Sequence, residues 1–175
     1  MLHNSETWDL VTVNRDKTGL FHRRGDDVPR NLYHIVVEVW TVIDNHMILM
    51  TQRHKDKPWG LLWECTGGSI LTGETSLQGA IREVREEIGL AVTEGNLELV
   101  YNYIGDDSIY DVYVNYSTKE EVQNIVMEEY EVIDYKIISI SDFYAMLERN
   151  EIIPKLSYFS DLIRNGKIRL TIAST

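Results

Sequence analysis

Residues 76–88, Ser-Leu-Gln-Gly-Ala-Ile-Arg-Glu-Val-Arg-Glu-Glu-Ile, can bury only one side. At 3.6 residues per turn, Leu77, Ala80, Ile81, Val84 and Ile88 fall within about 100° of one another, the stripe of an amphipathic helix. Thr75 or Ser76 can cap its start, and Gly89 stands where a left-handed residue closes a helix. Glu83, Glu86 and Glu87, spaced i, i+3, i+4, gather their carboxylates on one outer flank, with Arg82 and Arg85 expected on the opposite one. Each like-charge pair costs a helix about 0.2–0.5 kcal/mol. Taken alone, such a run suits a solvated face. It also suits a hard cation, because clustered carboxylate oxygens are the donors that Mg²⁺ and Mn²⁺ prefer.

A one-sided helix needs an apolar surface to lie on. Residues 33–43 are dense in Val, Ile, Trp and Tyr and read as a well-buried strand, with Asp44-Asn45 turning into a second strand at 46–51. Glycine-paired residues 66–69 read as a strand end against a close-packed loop. Further strands are expected at 97–104, 109–116 and 132–140, a helix opened by Ser141-Asp142 to about residue 149, and a last helix from Pro154 to Gly166. Strands lead, and helices come between and after them. The pattern predicts an α/β domain with a sheet covered by helices on both faces.

Charge narrows the function classes. The chain of 175 residues has 17 Lys and Arg against 28 Asp and Glu, a net charge of -11. Residues 1–60 are balanced at 8 basic and 8 acidic, so the excess lies beyond Gly60, at 9 against 20. That argues against a partner gripped by blanket phosphate neutralisation, a nucleic-acid polymer, and against an anionic membrane surface. Cys65 is the single cysteine and permits no intrachain disulfide. No apolar run approaches the roughly 20 residues of a membrane span. A cytoplasmic location is the expectation.

Residues 68–90 read Gly68, five residues, Glu74, seven residues, then Arg82-Glu83-Val84-Arg85-Glu86-Glu87-Ile88-Gly89-Leu90. This fills every fixed position of the Nudix box, G-x5-E-x7-R-E-U-x-E-E-x-G-U, where U is aliphatic. The chain therefore resembles the Nudix superfamily. The resemblance implies an α/β/α sandwich with a mixed β-sheet, residues 33–175 forming the core of a single domain over 1–175 and residues 1–32 an extension packed on it. It implies a metal-dependent hydrolase that cleaves the pyrophosphate bond of a nucleoside diphosphate linked to another group, with a homodimer as one expected state. Carried over by position, Glu83, Glu86 and Glu87 would hold Mg²⁺ or Mn²⁺, with the Gly67 carbonyl as an extra ligand. Glu74 and Arg82 would brace the box, and Gly68 would permit close backbone approach.

The physics agrees with such a site. A divalent ion neutralises both the diphosphate and the carboxylates, and lowers the pKa of water for attack at phosphorus. Arg53, Lys55 and Lys57 are candidates for phosphate contact, the alternative being a merely solvated basic loop. The general base is sought among Glu128, Glu129 and Glu131, with Glu131 favoured and Glu129 behind it. Trp8, Trp59, Trp63, Tyr33, Tyr101, Tyr103 and Tyr110 suit either core packing or base stacking.

Glu6, Trp8, Asp9, Gly19, Arg24-Gly25 and Tyr33-His34 are similar to the N-terminal extension of the branch that includes isopentenyl diphosphate isomerase. The chain departs from that isomerase at its catalytic cysteine, where Gly67 stands, Cys65 being two residues displaced. Isomerase chemistry, and a nucleotide-sensing domain without turnover, are the alternative functions.

Overall fold

The computed structural model describes residues 6–170. β1 (Thr7–Val11) and β2 (Lys17–Arg23) form an antiparallel hairpin. Next come β3 (His34–Ile43), β4 (Met47–Arg53), β5 (Trp63–Glu64) and β6 (Thr66–Ser69), and then helix α1 (Ser76–Ile88). After α1 the chain adds β7 (Leu97–Ile104), β8 (Ser108–Ser117) and β9 (Val132–Ser139), then α2 (Ile140–Glu148) and α3 (Tyr158–Arg164).

β3 organises a seven-stranded mixed sheet. β8 runs parallel to it along its whole length, from His34 opposite Ser108 to Ile43 opposite Ser117. Its other edge is divided: β6 pairs with Val36–Val39 and β4 with Thr41–Ile43, both antiparallel. β7 extends the sheet beyond β8, while β5 and β9 pair with β4.

Alternation along β3 sets the two cores. Val37, Val39 and Ile43 pack with Ala80, Val84 and Ile88 of α1. Trp40 and Val42 pack with Phe143 of α2 and Phe159 of α3. Helices thus cover both faces, as expected from the pattern. No helix among the described residues is long and apolar enough to cross a membrane.

Boundaries shift where caps decide them. At α1, Thr75 accepts the Gln78 N–H at 3.2 Å, Gln78 Oε1 accepts the Thr75 N–H at 2.9 Å, and Gly89 closes the helix at φ 67°. Ser139, rather than Ser141, caps α2 by accepting the Asp142 N–H at 3.1 Å, so the helix begins at Ile140. Pro154 opens a 3-10 turn, Pro154–Ser157, and α3 starts only at Tyr158.

The hairpin bears on both the sheet and the box loop. Val11 N–H donates to the Tyr33 carbonyl at 2.8 Å, and Thr72 and Gly73 donate to Thr7 O and Asp9 Oδ2 at 2.8 and 3.1 Å. Arg15 ion-pairs with Asp111, which is buried in β8. Trp8 stacks on His34 with ring centroids 4.5 Å apart, flanked by His22.

Burial holds His34 below the ordinary histidine pKa, against the opposing charge of Asp107, with His22 working in the same direction as burial. Its Nε2 lies 3.4 Å from Ser108 Oγ, and its Nδ1 has no hydrogen-bond partner. The unfolded chain therefore binds this proton more readily than the folded one. The contribution to stability is complete above the unfolded value of about 6.5 and is lost as pH falls from there toward the depressed folded pKa. Urea unfolding from pH 7 to 5 is expected to show a loss of up to about 1.4 kcal/mol per pH unit from this group. His34→Gln should flatten that slope; an unchanged slope would contradict the assignment.

Candidate active site

α1 presents its outer face to a cavity of about 780 Å³. Its walls come from β3, from the loop after β4, from β6, from the segment before β9 and from the turn before α3. Glu83, Glu86 and Glu87 all reach it, as do Gly67 and Gly68.

The arginine of the box lies on the carboxylate side, which corrects the opposite flank expected from the helical wheel. Arg82 Nε and Nη2 grip both oxygens of Glu74 at 2.9 and 3.0 Å, and Nη2 also reaches the Ser69 carbonyl at 3.0 Å. Nη1 donates to Glu83 Oε1 at 2.8 Å and Glu86 Oε2 at 3.0 Å. The five N–H groups of a guanidinium match these five hydrogen bonds. A wheel places Cβ directions, but a long flexible side chain can turn back across its neighbours. Glu74 in turn accepts the Leu71 N–H at 2.8 Å, tying the loop to the helix.

Glycines let the strand lie against these carboxylates. A Cβ on Gly68 would stand 2.5 Å from Glu83 Oε1. Glu87 is only 6% exposed, and its Oε2 accepts the Gly67 N–H at 3.3 Å. Burial, then the charges of Glu83 and Glu64, push the Glu87 carboxyl well above the usual range. Burial also raises Glu83, outweighing the pull of Arg82. Both carboxyls are thus harder to ionise here than in water.

The predicted phosphate contacts separate. Arg53 lines the cavity and donates through Nη1 to both Glu64 oxygens at 3.0 Å and through Nε to the Pro58 carbonyl at 2.6 Å. Lys57 lines it too and ion-pairs with Glu131. Burial, then Arg53, lowers the Lys57 ammonium pKa. Lys55 is exposed and lies outside the cavity walls. Among the base candidates, Glu128 and Glu131 line the cavity, whereas Glu129 is exposed outside it. Glu128 Oε2 is buried without a hydrogen-bond partner, and its backbone N–H holds the Glu87 carbonyl at 2.9 Å.

Sequence reasoning misses Glu38, Glu64 and Lys155, all in the cavity wall. A visible signal marks Glu38: a carboxylate inside an apolar strand is rarely buried without partners. It is 3% exposed, and accepts from Tyr158 Oη at 2.5 Å, Tyr103 Oη at 3.1 Å and Lys155 Nζ at 2.9 Å.

A divalent ion is a fit for these donors. All are hard oxygens, and a cation among them would favour the ionised form that burial opposes at Glu87 and Glu83. Among the described residues, no three His, Cys, Asp or Glu side chains are already gathered as a metal group. Glu83 and Glu86 are turned onto Arg82 instead.

The family model described as NUDIX domain matches residues 32–157. An uncharacterized Nudix hydrolase of Listeria monocytogenes is 31% identical over 170 residues, 95% of this chain and 98% of its own length. The chain belongs to the Nudix family, as a pyrophosphohydrolase by class. The Deinococcus radiodurans protein DR0079 has the same fold, with a TM-score of 0.70 at 19% identity over 91% of this chain and 98% of that one. A bifunctional NMN adenylyltransferase/ADP ribose pyrophosphatase from Francisella tularensis, solved with AMP and a Mn ion, shares it with a TM-score of 0.63 at 20% identity. That match covers 82% of this chain and 44% of the other.

Proposed function

We propose that the protein hydrolyses the pyrophosphate bond of a nucleoside diphosphate linked to another group, in a reaction dependent on Mg²⁺ or Mn²⁺. The observation that carries this is the convergence of Glu83, Glu86 and Glu87 with Gly67 and Gly68 on the wall of one cavity, about 780 Å³ and large enough for such a substrate. The Mn ion and AMP bound to the Francisella tularensis structure support the same chemistry.

Glu83, Glu86 and Glu87 would hold the ion, with Gly67 contributing its carbonyl. That requires Glu83 and Glu86 to turn from Arg82, which remains anchored to the box loop by Glu74 and Ser69. The ion supplies charge neutralisation for the diphosphate and acidifies a water molecule. Glu131 lies in the wall to accept the proton, its carboxylate oriented by Lys57. Glu128 stands beside it with an unpartnered oxygen. Arg53 and Lys57 face the cavity where a phosphate would carry its charge. Gly68 keeps the strand clear of Glu83.

A panel of nucleoside triphosphates, nucleotide sugars, dinucleoside polyphosphates, coenzyme A, nicotinamide dinucleotides and isopentenyl diphosphate tests this. At mildly alkaline pH with Mg²⁺, at least one member should release phosphate or a mononucleotide. Excess EDTA should suppress release to background, and added Mg²⁺ should restore it. Release indifferent to EDTA would contradict the metal requirement. Isomerised isopentenyl diphosphate with no hydrolysis would transfer the chain to isomerase chemistry.

A further inference from the structure

We infer that Lys155 is a substrate-binding residue that holds a phosphate oxygen of the substrate from the α3 side of the cavity, opposite the α1 glutamates. The inference rests on the diphosphate substrate proposed above.

The cavity's cations are Arg24, Arg53, Lys57, Arg82 and Lys155, and they differ in what they can release: Arg24 is paired with Glu6, and Lys57 with Glu131, which it orients. Arg82 keeps three of its five N–H groups on Glu74 and Ser69, and the two that Glu83 and Glu86 would release to an ion lie at the α1 end of the cavity. Arg53 is the one side chain among the described residues that hydrogen-bonds the Glu64 carboxylate, so diverting it would leave a largely buried charge unpaired. Lys155 is placed otherwise. Its partner Glu38 also accepts from Tyr158 at 2.5 Å and from Tyr103 at 3.1 and 3.2 Å. Glu38 thus keeps hydrogen bonds from two tyrosines, though no counter-charge, if Lys155 turns toward a ligand, whereas Glu64 without Arg53 would keep no side-chain hydrogen bond among the described residues. Burial first, and then Glu38, hold both tyrosine hydroxyls protonated as donors.

The ammonium is nonetheless held in place. It donates to Glu38 at 2.9 Å and sits 4.5 Å from the centroid of the Tyr110 ring. Tyr110 stacks on Tyr103 at 4.5 Å with the planes 4° apart, and Tyr103 returns to Glu38. Lys155, Glu38, Tyr103 and Tyr110 therefore close a ring of contacts. An ammonium has three N–H groups. One is on Glu38 and the cation faces Tyr110, which leaves donor capacity for the cavity, where the side chain is 45% exposed.

Location makes phosphate the fitting ligand. Glu38 pairs with Gly67 across β3 and β6, one residue from Gly68, which abuts Glu83. Lys155 and Glu38 line the same cavity as the α1 glutamates, so a diphosphate held at the carboxylate end can extend across it toward Lys155. Among the described lining residues Tyr130 is the only aromatic ring, and it is 65% exposed. With no enclosed stacking platform, recognition rests on charge, and lysine is a common point-charge contact for phosphate.

Titration calorimetry of the full chain with methylenediphosphonate and Mg²⁺ tests the proposal. Lys155→Met should weaken binding about tenfold or more, and Lys155→Arg should recover most of the loss. Because Lys155→Met leaves Glu38 with fewer partners, the Glu38→Gln, Lys155→Met double variant removes both charges, and it should bind as weakly with its thermal transition intact. During turnover the Lys155→Met deficit should fall more on KM than on kcat. Binding by Lys155→Met within about twofold of the unaltered protein, or none by the unaltered protein, would overturn the proposal. Lys155-dependent binding without hydrolysis of any panel member would overturn the hydrolytic reading alone. Hydrolysis with Lys155-independent binding would overturn this inference alone.

Discussion

Replacing Glu87 with Gln is expected to lower pyrophosphate hydrolysis about a thousandfold while leaving Tm unchanged or raised. Amide and carboxylate are nearly isosteric, and the amide oxygen introduced by Glu87→Gln can still accept the Gly67 N–H that Glu87 accepts at 3.3 Å. Burial and the neighbouring Glu83 and Glu64 already disfavour the ionised carboxylate in the metal-free fold. A neutral side chain therefore removes an electrostatic penalty along with an ion ligand. The two readouts move in different directions, which separates a functional carboxylate from a structural one. Glu129→Gln, in the exposed position outside the cavity, should keep activity within about twofold. Steady-state kinetics and thermal unfolding without metal decide the matter; normal turnover by Glu87→Gln would remove Glu87 from the reaction.

Gly67→Ala is expected to cost about 3 kcal/mol, the upper end of the usual overpacking range. The added Cβ would stand 2.2 Å from the Val37 carbonyl oxygen and 3.1 Å from Glu38 Cα. These are backbone atoms in the paired strand, so no rotamer change relieves the contact. β6 would have to part from β3, carrying the Gly67 N–H away from Glu87, and hydrolysis should fall with stability. For a domain of this size the loss corresponds to a drop in Tm of roughly 6–12 °C. Gly95→Ala is the control: its Cβ would meet only Thr93 Oγ1 at 3.9 Å, and it should change stability by no more than about 0.5 kcal/mol. A Gly67→Ala protein as stable as the unaltered one would show that β6 does not need the close approach.

What the chain reveals of itself without coordinates follows the range of the interactions involved. α1 is legible to the residue because its stripe, its Thr75 cap and its Gly89 stop are all local. β3 is legible as an apolar run, and the glutamates as a spacing. The hairpin β1–β2 escapes notice, since Leu20 and Phe21 are exposed in β2 and blur its alternation. The family resemblance joins Arg82 to Glu74, as the structure does, but the helical wheel misplaces Arg82 relative to Glu83 and Glu86, because wheel geometry ends at Cβ. The run of Glu128, Glu129 and Glu131 offers no local basis for choosing among its members; only the path of the chain before β9 turns Glu128 and Glu131 inward and Glu129 out. Tyr103 and Tyr158 meet Glu38 across 65 and 120 residues. No spacing rule reaches so far, so the Lys155 cluster becomes visible only once β3, β7 and α3 are packed together.

The acidic excess beyond Gly60 takes on a sharper meaning in this fold. Arg53, Lys57 and Arg82 in the cavity wall each hold a carboxylate, so apart from the donor capacity of Lys155 the wall offers little unengaged positive charge with which to seize a phosphate unaided. Phosphate binding through an added cation fits that arrangement. The most direct test is electron paramagnetic resonance of Mn²⁺ titrated into the unaltered protein, Glu87→Gln and Glu129→Gln. The account predicts saturable Mn²⁺ binding by the unaltered protein and by Glu129→Gln, weakened about tenfold or more in Glu87→Gln. Equal Mn²⁺ affinity in all three proteins would contradict it.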